Sequence, residues 1–145
     1  MAQPLVITVA AGSPRVHISN VSLFGRMSVE AGAELTLRSC VIEAEAGASS
    51  IGGGSTSRSP SSSGGERGLS IRGGTATLTS VVLRSHPAGA IVVDDGTITL
   101  VECTIELAHA LTGGAMRVRG HGSVVRVEHS QFSRNSAAVS GGALQ

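Results

Sequence analysis

Two short clusters carry side chains suited to chemistry. Asp94-Asp95-Gly96 pairs two carboxylates, and Gly120-His121-Gly122 sets an imidazole between glycines further along the chain. Inverting cleavage of a glycosidic bond needs two carboxyl groups of unequal character. One gives a proton to the leaving oxygen and the other activates water. Adjacent carboxylates on one turn repel, which favours holding one of them protonated. Asp94, Asp95 and His121 are therefore the catalytic candidates. The same residues also suit plain turns, where Asp tolerates tight backbone and Gly supplies positive φ. Calcium takes about six to eight oxygen ligands. Only Asp94 and Asp95 cluster, so the expectation is no metal site and no cofactor.

A second group is chemically quieter. Thr36, Thr77 and Thr99 occupy the same place in three similar segments, with Thr75 and Thr97 two residues before the last two. An outward column of this kind is a candidate ligand-binding row, and regular T-x-T rows resemble ice-binding faces. Thr also suits exposed strand positions for its own sake. His17, His86, His109 and His129 fall at unrelated places in the pattern, with no pair at metal-ligand spacing. Arg117, Arg119 and Arg126 form a small basic group balanced by Glu128.

Composition excludes several classes of function. The 145 residues hold 11 basic side chains, all Arg, against 10 acidic ones, for a net charge of +1. That supplies no field to steer nucleic acid or an anionic membrane. Phe24 and Phe132 are the sole aromatics, so no stacking platform for bases can be built. No apolar run approaches the roughly 18 residues of a membrane-spanning helix, and neither nucleic acid nor membrane insertion is expected. The opening MAQPLVITVAAGSPRV has no positive region ahead of its apolar stretch, so no signal peptide is visible.

The elements that must position these residues follow from a pattern of roughly 22 residues. It recurs as HISNVSL from His17, TLRSCVI from Thr36, TLTSVVL from Thr77, TLVECTI from Thr99 and RVEHSQF from Arg126. The second place is always aliphatic: Ile18, Leu37, Leu78, Leu100, Val127. The last is always large and apolar: Leu23, Ile42, Leu83, Ile105, Phe132. Val21, Cys40, Val81, Cys103 and Ser130 form a column between them. A short alternating strand precedes each segment: Ile7–Val9, Met27–Val29, Leu69–Ile71, Ile91–Val93 and Met116–Val118. Alternation of period two with β-branched residues predicts strands, and no helical period competes. Strands this short bury their apolar faces only by stacking on their equivalents. The expected fold is an all-β, right-handed parallel β-helix of about five to six coils at a strand spacing of about 4.8 Å. It forms a single domain over 1–145, with a sixth coil beginning at Gly142-Ala-Leu144.

That register has a consequence for the thiols. Cys40 and Cys103 share a column with Val81 between them, which places them about 10 Å apart. A disulfide needs Cα atoms within about 7 Å, so two free buried thiols are expected. Residues 47–68 hold eight Ser and seven Gly. They are expected to form a flexible insertion loop, because such a segment buries too little apolar area to offset its entropy. Open strand edges at the two ends predict end-to-end self-association by strand addition. The chain also reads as a possible portion of a longer solenoid.

Residues 113–144 carry a resemblance. Gly113-Gly-Ala-Met, Phe132-Ser-Arg-Asn135 and Gly141-Gly-Ala-Leu resemble the repeat of the polymorphic outer-membrane-protein type, with its G-G-A-(I/L/V) and F-x-x-N motifs. More broadly the chain is similar to the right-handed β-helix, pectin-lyase-like superfamily. At the Asn place the earlier segments carry Arg26, Glu45, His86 and Ala108. The resemblance implies a non-catalytic structural or adhesive module, extracellular or on a cell surface, with carbohydrate or another cell-surface ligand as partner. The order Asp-Asp then Gly-His-Gly resembles polygalacturonases, which implies the alternative of a polysaccharide-active enzyme using Asp94, Asp95 and His121. The chain departs from that pattern: Arg72-Gly-Gly-Thr75 stands where an Asn-Thr-Asp element belongs, and no Arg-Ile-Lys element follows.

Overall fold

A computed structural model describes residues 5–44 and 68–145. Among these residues the protein is all-β with no helix, and every pairing between strands is parallel. The expected insertion loop at 47–68 lies outside the described residues except for Gly68, a bend residue just before β6. It is buried and donates its amide to the Gly89 carbonyl.

Three rows of strands account for most of the molecule. One row is β1 (Leu5–Val9), the second half of β3 (Ser22–Val29), β6 (Leu69–Arg72), β9 (Ile91–Asp94) and β13 (Met116–Arg119). Another is β2 (Val16–Ser19), β4 (Glu34–Arg38), β7 (Thr75–Thr79), β10 (Thr97–Val101) and β14 (Val124–Glu128). The third is the first half of β3 with β5 (Val41–Glu43), β8 (Val82–Arg84), β11 (Thr104–Glu106) and β15 (Gln131–Ser133). Because β3 runs unbroken through two rows, those rows form one nine-stranded sheet. Gly25 makes this continuity possible: its φ is +138°, and a Cβ there would overlap the backbone of Leu5 on β1. A small fourth sheet pairs β12 (His109–Thr112) with β16 (Ser136–Ser140). It was not foreseen from the sequence.

The register follows the aliphatic columns. Ile18, Leu37, Leu78, Leu100 and Val127 are successive partners. So are Leu23, Ile42, Leu83, Ile105 and Phe132, and Ile7, Met27, Leu69, Ile91 and Met116. Leu144 extends the last of these by bridging Met116. The middle members are fully buried. Burying one such side chain stabilises by about 1.5–3 kcal/mol, so the interior rests on these columns.

The corner between the second and third rows is built without glycine. Asn20, Ser39, Ser80, Glu102 and His129 each adopt a φ between 47° and 55°. Left-handed backbone costs such residues about 1–2 kcal/mol. The gain is an amide aimed at the neighbouring strand: Ser39 N donates to Thr79 O at 3.0 Å and Ser80 N to Val101 O at 2.9 Å. Next to this corner, Cys40 and Cys103 are buried free thiols, as the register requires. Their Sγ–H groups donate to the carbonyls two residues back, Arg38 at 3.2 Å and Val101 at 3.3 Å. Ser130, in the same column, donates likewise to Glu128 O at 2.9 Å.

Candidate functional site

Asp94 ends β9, Asp95 opens the turn that leads to β10, and the turn between β13 and β14 holds His121. Since β9 and β13 are paired, the two turns lie side by side. Asp95 stands in the left-handed region at φ +50°, where the flanking turns use Gly73 and Gly120. Its carboxylate leans across the neighbouring turn, and Oδ1 accepts the Gly122 amide at 3.1 Å. A Cβ at Gly120 would overlap that carboxylate as it stands, and the φ of +85° there favours glycine independently. Asp94 lies in register between Arg72 and Arg119, so charges alternate along the outer face. His121 is exposed and has no hydrogen bond or ion pair among the described residues. The structure thus brings Asp95 to the Gly120–Gly122 backbone. What the contact does is hold one turn against the next.

Thr36, Thr77 and Thr99 are register partners, half-buried on one sheet face, with Thr75 and Thr97 paired beside them. His17 and Arg126 bound the column at its two ends. The centre of this face carries hydroxyls and methyls without charge. One row over, Glu43, Arg84 and Glu106 are register partners, and Arg84 Nε pairs with Glu106 Oε1 at 2.5 Å. Among the described residues no group of three His, Cys, Asp or Glu side chains could hold a metal ion. Among the same residues no helix is long and apolar enough to cross a membrane.

Two side chains whose role sequence reasoning missed sit at the corner after the third row. Asn135 uses both ends of its amide: Nδ2 donates to Ile105 O at 2.9 Å, and Oδ1 accepts Ala108 N at 3.0 Å. His86 holds the equivalent place three residues after Leu83, and its Nε2 lies 3.3 Å from Ile42 O, the carbonyl matching that of Ile105. The alignment of His86 with the Asn of F-x-x-N was the available signal. His86 is fully buried, and Nδ1 has no partner among the described residues. Burial pushes its pKa down to about 4, opposed in part by the bond to Ile42 O. Burial also pushes the Cys103 thiol up.

Comparison with known proteins returns no match to a family model, a curated protein or a solved structure. Fold and site together define an all-β protein of parallel strands with hydrogen-bonded turns. They assign it to no family.

Proposed function

We propose that this chain is a right-handed parallel β-helix acting as a non-catalytic structural or adhesive scaffold, displayed on a cell surface or outside the cell. Its stacked outer faces form a rigid, weakly charged surface for carbohydrate or another cell-surface ligand. Parallel pairing of equivalent strands supports the architecture, as does the backbone bonding of Asn135 in the F-x-x-N place. The observation that carries the non-catalytic reading is the bond from Gly122 N to Asp95 Oδ1, which gives the best catalytic candidate a folding role. The uncharged Thr face is the preferred contact surface, since hydroxyls and methyls in a flat row suit a sugar ring.

The test pairs a binding assay with a cleavage assay. Expected is retention on an array of immobilised polysaccharides, reduced at least tenfold by Thr77→Glu with Thr99→Glu, and no new reducing ends from polygalacturonate. Reducing ends released by the parent protein and lost in Asp95→Asn would overturn the scaffold reading in favour of a glycoside hydrolase. Binding unchanged by the Thr variants would remove that face from it.

A further inference from the structure

The corner between β8 and β9 is closed by a buried imidazole where the corner after β15 is closed by an amide. The two side chains reach equivalent carbonyls, Ile42 O for His86 and Ile105 O for Asn135. A carbonyl only accepts, so Nε2 carries the proton and Nδ1 is bare. A Cβ at Gly68 would come within 2.6 Å of the His86 ring, so the imidazole packs directly against that backbone and the place beside it admits only glycine. We propose that His86 is an acid-operated latch: neutral, it ties the β8–β9 connection to β5, and protonated, it is driven from its place and the corner opens.

The geometry supplies the reason. Protonation puts a positive charge and a second N–H into a fully buried site where Nδ1 finds no acceptor among the described residues. Two of the titratable or charged neighbours on the packed elements are engaged elsewhere. Arg84 pairs with Glu106, and His109 bonds the Ser136 hydroxyl at 2.6 Å. Glu43 is half-buried, in register with Arg84. Glu45, Glu66 and Arg67 adjoin in sequence and lie outside the described residues. The folded pKa of about 4 lies below the ordinary 6.5, so the opened form binds more protons and opening is favoured as pH falls between those values. From pH 7.5 to 5.0 the opening equilibrium should rise roughly 30-fold from this group alone.

Asn is the substitution of choice, because the protein already uses it at the equivalent corner. Urea unfolding of parent and His86→Asn at pH 7.5 and 5.0 should show the parent's folded-to-unfolded ratio falling about 30-fold further than the variant's. Equal pH dependence of the two proteins would overturn the latch. If His86→Asn does not fold, an NMR titration of the parent decides. A ring neutral at pH 7.5 with the proton on Nε2, whose protonation at lower pH comes with faster exchange of the His109 and Gly89 amides, upholds the proposal, and a His86 that protonates while those amides stay protected refutes it.

Discussion

Removing Leu100 is the sharpest test of how the columns stabilise the interior. Leu100 is fully buried on β10, with Leu78 on one side and Val127 on the other. Leu100→Ala deletes buried methyl groups and leaves a cavity, at a cost of about 3–5 kcal/mol. For a chain of this length that lowers Tm by about 10–16 °C. The neighbouring outward change Thr99→Ala should stay within about 0.5 kcal/mol. Register adds a stricter condition. Leu78→Val beside the Leu100→Ala cavity should couple to it by at least about 0.5 kcal/mol, because the two sites share a wall. Ile18→Val lies three strand spacings from Leu100, about 14 Å, and should add to it within about 0.5 kcal/mol. Urea denaturation of the singles and doubles supplies these values. Coupling to Ile18 as large as that to Leu78, or a Leu100→Ala cost no greater than that of Thr99→Ala, would refute the column argument.

Other expectations rest on single contacts. Asp95→Ala removes the acceptor for Gly122 N and should lower stability by about 1 kcal/mol in urea melts, while Gly120→Ala should cost more, because its Cβ meets the Asp95 carboxylate. Asn135→Ala strands Ala108 N and removes one donor to Ile105 O, and a loss of about 2 kcal/mol is expected by the same assay. A thiol reagent should label Cys40 and Cys103 slowly in the native protein and fully in denaturant, whereas an oxidised sample without free thiol would contradict the register. The raised Cys103 pKa means that the folded state keeps its proton while the unfolded chain loses it, so this group's contribution to stability is lost as pH rises through the alkaline range. Val125 and Val127 sit in interior columns yet remain 36% and 41% exposed at the free edge of β14. Sedimentation should therefore show association growing with concentration, suppressed by Val127→Lys.

Much of the strand layout was legible in the sequence. Ile18, Leu37, Leu78 and Leu100 announce themselves because a buried place admits few side chains, and alternation then fixes which neighbours face out. The corners were opaque for the converse reason. Ser39, Ser80 and Glu102 take a left-handed backbone that their own propensities oppose, and their amides, bonded to the adjacent strand, explain it. The β12–β16 sheet escaped notice because Leu111 and Val139 are largely exposed, so no apolar periodicity marks it. At the candidate site, the approach of Asp95 to the Gly120–Gly122 turn followed from equivalent positions. The direction of its carboxylate did not, since that depends on a backbone amide. His86 was aligned with the Asn place, but its burial and bare Nδ1 emerge only from packing.

Among the described residues, the links that lead on from the third row differ in length while the strands they join stay in register. β3 passes from one row to the next without a break, Ser85–Ala90 spans a few residues between β8 and β9, and Leu107–Ala115 carries a strand of its own. Link length on this flank therefore varies without disturbing the register of the strands. Foreign peptides spliced between Pro87 and Ala88 should be carried as passengers, which makes the flank a natural place for sequence to diversify and for an engineer to graft an epitope.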